Sequence, residues 1–490
     1  MTTLHTVSFK RTVLATLIGL FLSRYSFALQ EISDDALSQA TGEGIAILPT
    51  DYSFVLRGDK TGNEASLTDR SKDTGYIHYI PIGGLTSIVQ DTNKDGLVNS
   101  SDHSVGKADL YLYGLALSKN DNDPNNRFGS KISSWGTANN PWIFKAATAN
   151  NVPDFAGGNG TITYLNFEAP LYETGTKTGV DAYNLKLALW ADAFVRDQSK
   201  AEGDVDQFNL GENFSTTATG RANRLRLQAI ANGFSMNGSN LQVFQTLKGA
   251  TNANGMSSFY NNTLGLSGIL RFNSGTGTTA SDSKVLRLST RECGSGNPNG
   301  CTTGTAQGLL ASPAIAGSGA TTAPNFSPNE GVFIYNLNTN LVLGSLYQPL
   351  VLGSDGKNFS LELARIPNKA SIYTKIYTRY AGDSGDSGVT YYGSTCNVFV
   401  CGTSALAGYQ GGSPTSDYSA LASNATLPTH SSISIGSVTQ GANNLLIADK
   451  SASAVGISFG KSGTSGAVNM GSAVIDGLLI QHMKITATGL

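Results

Sequence analysis

Apolar and polar side chains alternate over most of this chain. In Tyr183-Asn-Leu-Lys-Leu-Ala-Leu189 the apolar residues fall on odd positions and the polar ones mostly on even positions. A period of two is that of a β-strand with one dry face. The same texture predicts strands over 52–56, 76–82, 108–117, 161–171, 183–195, 224–234, 241–245, 264–272 and 285–289. It continues over 332–337, 341–346, 359–366, 371–380, 433–438, 445–449, 455–459 and 474–488. One helix is predicted over Asp34–Ala40, with Ser33 as its cap, acids in its first turn and Gly42 as terminator. The expected fold is therefore all-β: many-stranded antiparallel sheets, sandwich or solenoid-like, with one short N-terminal helix.

Four strands open as x-Leu-x-Leu, with first leucines at Leu110, Leu185, Leu225 and Leu264. The near-even spacing of the last three suggests equivalent hairpins, although amphipathic strands produce that pattern by themselves. Gly/Ser/Thr-rich stretches at 273–283, 302–326, 381–395 and 402–431 read as loops. They divide the chain into a β-rich region over 49–300 that follows a helical motif at 29–48, a linker at 301–330 and a second β-rich region over 331–490.

The first residues carry an address. Lys10 and Arg11 precede the apolar run Thr12–Leu22, and Ser26-Phe-Ala28 places small residues before a cleavage point. That is the pattern of a secretory signal over residues 1–28. No segment approaches the length of a transmembrane helix. The expected destination is the periplasm, the outer-membrane surface or the exterior. Without the signal, 30 basic residues face 35 acidic ones, since Lys10, Arg11 and Arg24 leave with it and no acid does. That balance, with no basic patch, argues against nucleic acid and anionic membrane surface as partners.

The four cysteines agree with export. Cys293 and Cys301 form one close pair and Cys396 and Cys401 another, and two local disulfides are expected. A zinc site is the competing reading, but neither C-x-x-C spacing nor nearby histidine supports it.

The most specific chemistry lies in Asp91-Thr-Asn93-Lys-Asp95-Gly96-Leu97-Val-Asn99-Ser-Ser-Asp102. Oxygen donors at loop positions 1, 3, 5, 9 and 12, with glycine at 6, match the spacing that wraps a backbone around Ca²⁺. Asp91, Asn93 and Asp95 would offer side-chain oxygens and Leu97 its carbonyl. Asn99 would act directly or through water, and Asp102 would close the loop. No helix-forming pattern follows Asp102, so this is a single loop between strands. Asp121-Asn-Asp123 is a weaker second candidate, lacking the glycine and the downstream ligands.

No catalytic constellation is legible. Gly382-Asp-Ser-Gly385 resembles a serine-protease nucleophile segment but is followed by Asp386, and Gly411-Gly-Ser413 lacks the flanks of a nucleophile elbow. Carboxylates paired in space would be invisible here, so a secreted polysaccharide hydrolase on a β scaffold stays open as an alternative. An outer-membrane β-barrel also stays open: alternating strands, polar loops and export fit it, while the terminal Thr-Gly-Leu490 lacks an aromatic.

The segment Leu29-Gln-Glu-Ile-Ser-Asp-Asp-Ala-Leu-Ser-Gln-Ala-Thr-Gly-Glu-Gly-Ile45 resembles the opening of Fil-type pilus-assembly and surface proteins of Acinetobacter-like bacteria. Tyr347-Gln-Pro-Leu350 and Leu361–Pro367 are similar to that group as well. The resemblance implies a structural or assembly role at the cell surface in a pilus-like or adhesive system, and no catalytic residues. Its partners would be other surface or pilus proteins, joined by strand addition to an open sheet edge.

Overall fold

The structure is a computed structural model. It describes residues 44–56, 76–79, 88–89, 96–97, 104–105, 108–138, 141–154, 158–170, 184–195, 221–248, 261–294, 326–346, 348–354, 358–364, 398, 431–441, 445–478, 480 and 482–487. These residues form antiparallel strands and no helix, as the alternation predicts. The expected helix over 34–40, the signal and the strand at 371–380 lie outside the described residues.

In chain order the strands are β1 (Gly44–Ile47), β2 (Thr50–Tyr52), β3 (Phe54–Val55), β4 (Tyr76–Tyr79), β5 (Ile88–Val89), β6 (Ser104–Val105), β7 (Ala108–Lys119), β8 (Ile132–Ser134) and β9 (Trp142–Pro153). Next come β10 (Asn159–Glu168), β11 (Leu185–Val195), β12 (Arg221–Phe234), β13 (Asn240–Gln245), β14 (Leu264–Asn273), β15 (Val285–Gly294), β16 (Val332–Tyr335), β17 (Asn338–Leu343), β18 (Leu350–Ser354) and β19 (Phe359–Leu363). The last are β20 (Ser431–Ile435), β21 (Val438–Gln440), β22 (Leu446–Ala448), β23 (Ile457–Phe459), β24 (Val468–Gly471), β25 (Ala473–Leu478) and β26 (Met483–Ala487).

Two large sheets share one plan. The first runs β1-β9-β10-β13-β14-β17-β20-β25 and the second runs β3-β7-β11-β12-β15-β16-β23-β24. Each place in one order is matched by the chain-neighbouring strand in the other. The chain therefore passes from one sheet to the other eight times, as eight ribs that each contribute an arm to both. Rib 1 is β1 to β3, rib 2 β7 to β9, rib 3 β10 to β11, rib 4 β12 to β13, rib 5 β14 to β15 and rib 6 β16 to β17. Rib 7 is β20 to β23 and rib 8 is β24 to β25. Where β17 ends, β18 takes over alongside β14, and β19 and β26 prolong the first-sheet arms of ribs 7 and 8. Successive ribs are neighbours, so the whole is an up-and-down meander. The regions 49–300 and 331–490 are joined through it, because β16 pairs with β15 and β17 with β14.

A transverse break separates the two sheets, and backbone bonds still tie the ribs along it. Ser235 and Asn273 exchange both bonds, at 2.7 and 2.9 Å, and Asn336 N–H donates to Lys284 at 3.0 Å. Gly436 N–H donates to the Tyr335 carbonyl at 2.9 Å. Gly233 and Asn336 turn the chain here with φ of 69° and 48°. A Cβ on Gly233 would stand 1.5 Å from the Ser283 carbonyl oxygen, so only glycine fits.

The two faces of these sheets are unlike. One face is buried and rich in polar groups: the row Ser118, Lys186, Asn232, Val285 and Tyr335 in the second sheet, and Arg271, Asn340 and Ser432 in the first. All of these side chains are buried. The opposite face is apolar. Across the first sheet it carries Ile45, Phe144, Phe167, Leu241, Gly268 and Leu343 in register. Across the second it carries Phe54, Leu117, Leu187, Ala231, Leu286, Ile334 and Ile457. Near the break this face is covered, where Ile132, Trp135, Leu185, Ala231 and Phe234 pack with Trp142 and Phe272. Away from it the face is open, with Phe144 38% and Leu241 47% exposed.

The alternation thus places most strands but assigns the wet and dry faces the other way round along the open part of the sheets. In β11 Leu187 is 37% exposed and Leu185 is buried under the cover near the break, while Lys186 and Trp190 are buried on the other side. All four x-Leu-x-Leu openings follow that sidedness by register, but they do not mark equivalent hairpins, since β11 and β12 belong to the second sheet and β14 to the first.

Candidate functional site

The strands that flank the candidate Ca²⁺ segment form a small hairpin: β5 and β6 pair through Ile88 with Val105 and Val89 with Ser104. Gly96 has φ of 86°, the left-handed turn that position six of such a loop requires, and Leu97 beside it is exposed. Asp91, Asn93, Asp95, Asn99 and Asp102 lie outside the described residues. The flanking hairpin and a left-handed glycine fit a Ca²⁺ loop.

The second candidate is used differently. Asp121 accepts a charge-assisted hydrogen bond from the buried Lys186 ammonium, which also donates to the carbonyls of Asp123 at 2.8 Å and Asn126 at 2.9 Å. Three oxygens of this Asx-rich strap therefore surround an ammonium, in the place a metal would take. Lys186 is fully buried, and burial pulls its pKa below 10.5, against the opposing pull of the Asp121 bond.

The strap runs on across the buried face of the second sheet. Arg287 donates to the Asn125 side chain, to the Pro124 carbonyl at 3.3 Å, and on its other side to the carbonyls of Ser327 and Glu330, the latter at 3.0 Å. Burial brings its pKa down to about 10, and its guanidinium lies over the Phe333 ring at 5.3 Å. Arg127, from the strap itself, lies over Trp190 at 5.6 Å. In sequence these three cations look like solvated strand or loop residues. What could have revealed them is the run of Asp, Asn and Pro over 120–126, whose carbonyls and carboxylates need donors.

The first sheet carries its own polar clusters. Glu168, buried, accepts from Asn166 Nδ2 at 2.5 Å and lies 3.3 Å from Lys145 Nζ. With its amide oxygen turned inward, Asn273 accepts from Arg271 Nε at 2.8 Å. Glu362, also buried, meets His482 Nε2 at 2.9 Å and Lys484 Nζ at 3.8 Å. Each of these two carboxylates is engaged by a base. Tyr335 has its pKa raised by burial, opposed by the Ser462 N–H that donates to its oxygen at 3.1 Å.

Cys293 lies in β15, and Cys301, Cys396 and Cys401 lie outside the described residues. Between the last two, Val398 is buried against Val438 and Leu446. Among the described residues no cluster of three or more His, Cys, Asp and Glu side chains is placed to hold a metal. Among them, too, no helix is long and apolar enough to cross a membrane, which bears on helices and not on strands.

The fold and its surfaces define an antiparallel eight-ribbed meander with a polar buried face and an apolar open one. No family model matches the chain, and neither a curated protein nor a solved structure matches it.

Proposed function

We propose that this chain is an exported structural protein of the cell surface that seats the apolar face of its meander against lipid hydrocarbon. The single observation behind this reading is the sidedness of the sheets. Lys186, Arg271 and Arg287 are fully buried while Phe144, Leu241, Leu270 and Leu288 stand open. A protein that meets only water is organised the other way, and rarely leaves apolar patches beyond a few hundred Å² uncovered. Strands that meet lipid present apolar side chains outward and keep polar ones inside. The reading joins two sequence expectations: the surface role implied by the N-terminal resemblance, and the outer-membrane alternative.

The test is co-flotation with vesicles of phosphatidylethanolamine and phosphatidylglycerol. The full chain is expected to rise with the vesicles and to need detergent for extraction. Phe144→Asp, Phe167→Asp and Leu241→Asp together should abolish flotation, each carboxylate costing less than the lysine or arginine value of about 2–4 kcal/mol at the bilayer midplane but adding to the others. A parent chain that stays monodisperse without detergent and remains below the vesicles overturns the reading.

Calcium, in this proposal, is a staple for the β5–β6 hairpin at the turn between ribs 1 and 2. Millimolar extracellular Ca²⁺ fills even weak sites of this kind. The Asp91→Ala, Asp95→Ala double variant should melt lower than the parent in Ca²⁺ and should no longer respond to chelator. Identical melting of the parent with and without chelator would show that the segment is only a turn.

A further inference from the structure

The meander ends at two free edges. Among the described residues β1 pairs only with β9 and β3 only with β7 at one end, and β25 only with β20 and β24 only with β23 at the other. A sheet edge exposes a row of N–H and C=O groups, and monomeric proteins guard such rows with lysine, proline, inward charges or bulges. The rib 1 edge carries little of that protection, and the rib 8 edge carries one bulge in each strand, at Met470 in β24 and at Gly477 in β25. Gly44–Ile47, Phe54–Val55, Val468–Gly471 and Ala473–Leu478 contain no lysine, arginine or proline and one acid, Asp476. β4 on β7 and β26 on β19 prolong the same two edges and add His78 and Lys484. The Asp476 carboxylate is turned to the Leu446 N–H, from which it accepts at 2.8 Å. Apolar side chains run out to both rims, with Ile45 63%, Val468 56%, Met470 65% and Ile475 53% exposed.

The two edges are also complementary in direction. Rib 1 passes from the first sheet to the second and rib 8 from the second to the first, so they run antiparallel. Both antiparallel ladders would continue, outside the bulges at Gly477 and Met470, if rib 8 of one molecule lay beside rib 1 of another, β25 against β1 and β24 against β3. Placing Ile475 beside Ile45 or Ile47 keeps the apolar side of both sheets in phase, and a slip of one residue would invert it.

We infer that rib 8 of one copy of this chain pairs with rib 1 of a second copy, extending both sheets head to tail. Such a contact uses two different surfaces of the molecule, so copies join into a ring or an open filament rather than a two-fold dimer. The inference stands on the edges alone. If the apolar face also meets hydrocarbon, the need is stricter, because open strand edges are not tolerated there.

Thiol cross-linking of the full chain in detergent tests it. Copies carrying only Ile45→Cys are mixed with copies carrying only Ile475→Cys and treated with a short bis-maleimide, with the parent and its four native cysteines as the blank. The expected product is a cross-linked dimer of the two variants, absent when either is treated alone. The double variant, treated at low concentration, should link between chains. A link within one chain means that the meander closes on itself, and no link in any mixture means that the edges are capped; either result overturns the inference. Flotation without cross-linking, or cross-linking without flotation, separates the failure of one reading from that of the other.

Discussion

Lys186 shows what a buried cation demands of its neighbours. Its ammonium is out of water and is held by Asp121 and two carbonyls of the strap. Removing the amine would leave a partly buried carboxylate and two carbonyls without their donor. Lys186→Met is therefore expected to lose about 2–3 kcal/mol in chemical denaturation. The effect also has a pH dependence of definite sign. Burial lowers the folded pKa below 10.5, so just under pH 10.5 the unfolded chain binds more protons than the folded one. Stability contributed by this residue rises with pH through that window. The parent-minus-variant difference, followed from pH 8 upward, should grow and then level off, and a difference that shrinks contradicts the assignment. The residue's own surroundings in sequence give no warning of this, since a lysine between two leucines in an alternating strand has the pattern of a solvated residue; the only signal is the distant Asp/Asn/Pro run over 120–126.

At the scale of the rib, the alternation located most of the described strands, because a period of two survives whichever face is buried. It passed over β1, β5, β6, β8, β18, β24 and the long β9, which opens on the unalternating run Trp142-Ile-Phe. Nor could it say which face is buried. The Leu185, Leu187 and Leu189 side of β11 reads as a core, yet the polar side is the one the strap covers. The positions where ribs cross the break were legible only as scattered glycines and asparagines, because their role depends on neighbours distant in sequence. Gly233 is the sharpest of them. Gly233→Ala should cost at least about 3 kcal/mol, since a left-handed backbone and a clash with the Ser283 carbonyl add together. Gly463→Ala makes the control. Gly463 has φ of 83° but open space around its Cβ position, so the substitution should cost only about 1 kcal/mol. Equal losses at both sites would show that conformational strain, and not the approach of rib 5 to rib 4, governs the break.

For the whole molecule, the order of the ribs in space is their order in the chain. Each new rib therefore docks on the one made just before it, though the strap over 120–126 waits for a later partner, Arg287 of rib 5. A chain delivered across a membrane from its N-terminus can add ribs as they emerge, and each finished edge is the template for the next. Long excursions between ribs slow this little, because loop closure grows only with the logarithm of loop length. The template that receives rib 8 is used up, but rib 8 then presents another. Growth by one rib within a chain and growth by one molecule at the end of a chain become the same step, taken first by covalent neighbours and afterwards by strangers.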